Sequence, residues 1–192
     1  MIRLLCLFLL LVGCSTTRTT QSSMSSRSYM AIVNKNSDHI RKYSGFYNTL
    51  DMEATVLNKE MLSNQLYYLT SLYQWDEAKS QAEAEKIFKD SKTSTQFFVS
   101  FFTPERKNID LSRQNTVWKF FLDVDGRRFE GTAKRFRAPM AEIEVIYPYH
   151  NRFYSAYIIS FPIPTESIEG KPLELTVTGA IDSGTLKFQQ LK

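Results

Sequence analysis

The chain has 192 residues, 43% of them hydrophobic, with 24 basic and 20 acidic side chains and a formal net charge of +4. So small an imbalance neither demands nor excludes an acidic partner, and the length suits one domain with an adequate core. Two cysteines, Cys6 and Cys14, exclude a disulfide-rich scaffold.

The N-terminus reads Met1-Ile2-Arg3 and then nine apolar residues, Leu4 to Val12. A basic residue before a short apolar run is the layout of a secretory signal. The run is too short to span a bilayer, which takes about 20 apolar residues. The next four positions, Leu11-Val12-Gly13-Cys14, resemble the lipobox of bacterial lipoproteins. That resemblance implies cleavage before Cys14 and lipidation of its thiol, so residues 1–13 are expected to be a signal peptide. It covers only the start of the chain. The mature protein would keep 179 residues and no thiol pair for a disulfide. Ser15 follows the cysteine in place of the Asp that resembles an inner-membrane retention signal, which points to the outer membrane of a Gram-negative cell. From Ser15 to Ser28, ten of fourteen residues are Ser or Thr. Residues 14–28 are therefore expected to form a lipidated tether, with an r.m.s. reach of about 20 Å.

The rest, 29–192, reads as one domain. Phe46 to Leu57 alternates with period two, which predicts a strand with Phe46, Leu50, Met52, Ala54 and Val56 on one face. Asn58 then precedes a helical spacing of Leu62, Leu66, Leu69 and Tyr73. A second helix is predicted from Asp76 or Ser80 to Asp90, with Ser80 and Glu83 in capping-box spacing. Strands are predicted at 96–102, 116–124, 127–136, 142–147, 153–161, 173–178 and 185–190. Asp125-Gly126 predicts a type I′ hairpin turn, and Ser183-Gly184 a second turn. The pattern predicts a mainly β fold, an immunoglobulin-like antiparallel β-sandwich with an inserted helical pair at about 58–90.

Motifs for chemistry are scarce. Asp123 and Asp125 lack the ligand series of an EF-hand, and His39 and His150 lack zinc-site spacing, so no metal and no cofactor are expected. No nucleophile elbow accompanies a histidine, so the reading is non-catalytic. Arg127, Arg128, Lys134, Arg135 and Arg137 could contact phosphate, but alternation sends them to both faces, which suits a solvated sheet edge. The most unusual segment runs from Tyr147 to Tyr154. Tyr147, Tyr149, His150, Arg152 and Tyr154 there could form a recognition surface, or the rings could pack over the end of the sandwich. The sequence therefore predicts an envelope lipoprotein, held at the membrane by lipid on Cys14, that binds another envelope protein or contributes to an envelope assembly. A glycan- or lipid-binding module is the alternative. In outline the chain resembles the small sandwich lipoproteins of secretion machines; the exported address disfavours nucleic acid.

Overall fold

The computed structural model describes residues 24–189, so the signal segment at 1–13, Cys14, the tether as far as residue 23 and the last three residues lie outside the described residues. The described residues form, in order, α1 (Ser26–Lys35), β1 (Ser37–Ser44), β2 (Tyr47–Val56), α2 (Lys59–Tyr73), α3 (Glu77–Lys89), β3 (Thr95–Phe102), β4 (Trp118–Val124), β5 (Arg127–Arg135), α4 (Met140–Ile146), β6 (Ser155–Phe161), β7 (Leu173–Gly179) and β8 (Ser183–Phe188). Every strand pairing is antiparallel, and the order across the sheet is β1-β2-β3-β6-β5-β4-β7-β8. The sheet curls until its two ends nearly meet. There the Lys187 amide donates to the Asp38 carboxylate at 2.7 Å.

The curl has a clear cause in the side-chain pattern. Leu50, Met52, Ala54 and Val56 of β2, Phe97, Val99 and Phe101 of β3, Phe120 and Leu122 of β4, Ile159 and Phe161 of β6 and Leu175 and Val177 of β7 all fill one interior. Alternation sends the intervening residues outward. On β3 the outward face is also buried, since Phe98 joins Tyr29 and Val33 of α1, Met61, Leu62 and Tyr68 of α2, and Ile143 and Tyr147. A strand covered on both faces explains the unbroken apolar run Phe97-Phe98-Val99.

The mainly β, antiparallel expectation holds, as do the helices between β2 and β3. The strands do not divide into the two separate sheets of an immunoglobulin-like sandwich: β5 pairs with both β4 and β6, and one sheet runs through. Asn58 caps α2 by accepting the Met61 amide at 2.8 Å. Asp125 (φ 51°) and Gly126 (φ 72°) make the left-handed turn their types predict.

Other elements differ from the expectation. Residues 142–147, predicted as a strand, lie in or just after α4, because Pro139 starts a helical turn and Ile143 and Tyr147, four apart, share its buried side. Asp76, not Ser80, caps α3. Ser183-Gly184 belongs to β8, the turn before it being closed by the Gly179 amide on the Asp182 carbonyl at 3.0 Å. Phe46 stands fully exposed in the β1–β2 turn. The last tether residues enter α1, capped by Ser25. β5 is interior to the sheet, so its cations do not mark an edge.

Candidate functional site

The segment after β5 builds the site. The Phe136 amide donates to the Ala156 carbonyl at 2.9 Å, extending the β5–β6 pairing by one residue before the chain turns through Arg137, Ala138 and Pro139 into α4. From α4 the loop 147–154 lies back over the outer face of β2, β3 and β6. Three anchors fix it. Tyr147 stacks on Phe98 with ring centres 3.5 Å apart, the Tyr149 hydroxyl lies 2.6 Å from Thr55 Oγ1, and His150 Nδ1 lies 2.6 Å from Ser100 Oγ. Burial pushes the phenols of Tyr147 and Tyr149 well above their ordinary range.

The five residues singled out in the sequence thus part company. Tyr147 and His150 are buried, at 2% and 3% exposure. Tyr149 packs beside them, and Tyr154 is half-buried. Arg152 is exposed, its guanidinium over the exposed Phe153 ring at 5.0 Å. Tyr154 meets a polar cluster that the sequence did not reveal. The buried Asp51 carboxylate accepts from Arg41 Nε at 2.6 Å and contacts His39 Nε2 at 2.9 Å, and the Tyr154 hydroxyl lies against it. Burial first, and the Asp51 contact second, raise the Tyr154 phenol.

His150 and Tyr154 also line an open cleft of about 700 Å³. It is lined by the apolar Phe136, Ala138, Met140, Ile143 and Ala156 together with the polar Asp110, Ser112, Arg135 and Arg137. A neighbouring hollow extends this lining to Lys134. Arg135 is held in place: its Nη1 donates to the Tyr157 hydroxyl at 3.0 Å, and that hydroxyl donates to the Ile109 carbonyl at 2.6 Å. Asp110 is engaged by Ser112 at 2.6 Å and by Arg113 at 3.2 Å, contacts that hold its carboxyl below the usual range, the Ser112 bond being the larger cause. Among the described residues, Lys134 and Arg137 have no acidic partner. Burial lowers the His150 pKa, with Glu144 opposing that effect and Arg135 adding to it more weakly.

Ser100 and His150 have the spacing of a nucleophile and its base, but Ser100 is fully buried. Its hydroxyl lies 2.6 Å from His150 Nδ1 and fixes the orientation of the imidazole. Among the described residues no three His, Cys, Asp or Glu side chains converge as metal ligands. The cations at 134, 135 and 137 were visible in sequence as a basic cluster; Asp110, Ser112 and the apolar lining were not, because they come from distant segments.

No family model matches this chain, and no curated protein matches it. A solved structure, described as a novel protein of unknown function from Burkholderia pseudomallei K96243, is similar over 87% of this chain and 92% of its own, at 11% identity and a TM-score of 0.39.

Proposed function

We propose that this chain is a lipid-anchored protein of the bacterial envelope, attached through Cys14 to the outer membrane, whose domain is a non-catalytic module for an acidic, partly apolar ligand. The observation that carries this reading is the cleft, where Arg135 and Arg137 line the same space as Phe136, Met140 and Ile143. Arg135 is preorganised by Tyr157, which spares part of the entropy of fixing a long side chain on binding. Arg137 and Lys134 are exposed and form no ion pair among the described residues, and the Asp110 carboxylate in the same cleft is engaged by Ser112 and Arg113. A phosphate or carboxylate would accept from the guanidiniums while an attached hydrocarbon lay on Phe136, Met140 and Ile143. The cleft favours such a lipid or glycan headgroup over the envelope-protein partner that the sequence alone suggested.

The test is titration of the full-length lipoprotein with short-chain phosphatidylglycerol and, separately, short-chain phosphatidylcholine. The anionic lipid should bind and the zwitterionic one should not. A charge-assisted hydrogen bond contributes about 1.5–3 kcal/mol, so Arg137→Gln should weaken binding at least tenfold. Equal binding of both lipids, or an unchanged affinity in the variant, rules the cleft out.

A further inference from the structure

The tip of the β1–β2 hairpin carries three aromatic rings into solvent. Tyr43 is 58% exposed, Phe46 is 102% exposed and Tyr47 is 78% exposed. They are not a loose loop. Ser44 pairs with Tyr47, leaving Gly45-Phe46 as a two-residue turn, and Gly45 takes the positive φ of 60° that the first central position of a type II′ turn needs. Two side-chain links brace the hairpin's shaft. The Thr49 hydroxyl donates to the Asp182 carboxylate beside β8, and Arg41 is locked to Asp51. From His39 to Leu50 the chain contains no acidic residue and two basic ones, Arg41 and Lys42.

Phe at the apex, Tyr on both flanks and Lys42 behind them match the layering of a membrane interface, Arg41 being paired with Asp51. An apolar ring reaches toward acyl chains, amphipathic rings sit among headgroups, and positive charge faces anionic lipid. A protein partner fits less well. Aromatic side chains offer about 150–250 Å² each, so three fall short of the roughly 800 Å² per partner that a stable protein interface buries. A bilayer sets no such minimum. We infer that the hairpin tip Tyr43-Phe46-Tyr47 inserts into the bilayer interface, a second contact that seats the tethered domain on the lipid surface. The inference rests on the envelope address proposed above, but uses neither the cleft nor its ligand.

The experiment places the full-length lipoprotein in liposomes of phosphatidylethanolamine and phosphatidylglycerol and compares it with Phe46→Trp. Position 46 is exposed, so the exchange leaves the fold intact. Brominated acyl chains should quench the emission added by Phe46→Trp and shift it to the blue, relative to the parent with Trp75 and Trp118 alone. Unquenched added emission in liposomes overturns the inference. So does shielding that appears only when another envelope protein is supplied. Fatty-acid labelling of Cys14 is scored separately. Labelling without quenching sinks the tip alone; quenching of Cys14→Ala protein added to vesicles supports the tip even where the anchor fails.

Discussion

Tyr147 and Arg152 sit on one loop and make opposite forecasts. Tyr147 is stacked on Phe98 and nearly inaccessible. Tyr147→Ala should cost about 3–5 kcal/mol, which for a domain this size lowers the melting temperature by roughly 6–20 °C. Arg152→Ala removes an exposed side chain and should change stability by about 0.5 kcal/mol or less. Thermal melts of the two variants check both. A second forecast concerns His150, whose pKa is lowered by burial. The unfolded chain therefore binds the proton more readily, so this contribution is present above about pH 6.5 and is lost as pH falls through the folded value. Glu53 acts in the opposite sense: burial raises its carboxyl, and its contribution, present below the ordinary carboxylate range, is lost as pH rises. His150→Asn keeps a polar partner for Ser100 without a titrating ring. The melting temperature of that variant should fall less than the parent's between pH 7 and pH 5. Parallel curves would mean that His150 does not drive the acid response. The concentration of aromatics at 147–154 was legible in the sequence, but not which rings were core. Their anchors lie far off in the chain: Ser100 is 50 residues from His150, and Thr55 is 94 from Tyr149.

Among the elements, those with a strong period were readable and those with mixed signals were not. β2 shows four inward residues in strict alternation and was placed within a residue or two. β1 was missed because only Ile40 packs against the interior, which leaves no apolar rhythm. The expected tether takes in only the first three residues of α1, and the helix itself gives no clear period, since its buried residues are just Tyr29 and Val33. α4 was mistaken for a strand because Ile143 and Val145 alternate with glutamates, and seven residues are too few to separate the two periods. α2 was found through its cap, and that cap has a second duty. Asn58 accepts the Met61 amide at 2.8 Å and donates to the Asn36 carbonyl oxygen, Oδ1, at 2.7 Å, tying the start of α2 to the end of α1. Asn58→Ala would lose the cap, about 0.5–2 kcal/mol, and strand a buried acceptor, about 1–3 kcal/mol. A total loss of about 1.5–5 kcal/mol should appear as a lower urea midpoint with an unchanged slope. A loss under about 1 kcal/mol would show that the junction is not so dependent on this residue.

On the scale of the whole molecule, the fold class was legible and the connection between strands was not. Apolar alternation predicts how many strands have a buried side; it does not tell whether β5 borders β4 alone or β4 and β6 together. The side chains that settle the curvature are small. A Cβ at Gly131 would meet the Phe161 ring at 2.5 Å, so the interior closes tightly only where β5 has no side chain. At Gly184 a Cβ would come within 1.8 Å of Ile40 Cδ1, across the gap between β8 and β1. Gly184→Val should therefore displace the Ile40 side chain and lower the melting temperature, which a thermal melt checks.

That junction joins the first and the last strand of the described residues, and this sets an order of events in time. Asp38 and Lys187 are 149 residues apart, so their contact closes one of the longest loops the chain can make. Contacts of such separation form late and slow the search for the native state. During folding, β1 has no neighbour on the flank away from β2 until β8 arrives, and an exposed flank invites association with other chains. A bond made after the rate-limiting step governs escape from the native state more than arrival at it. Asp38→Ala should thus raise the unfolding rate about fivefold, the equivalent of roughly 1 kcal/mol for one hydrogen bond, while the refolding rate stays where it was. Stopped-flow measurements in both directions decide the matter; a slowed refolding limb would show that β1 and β8 meet early.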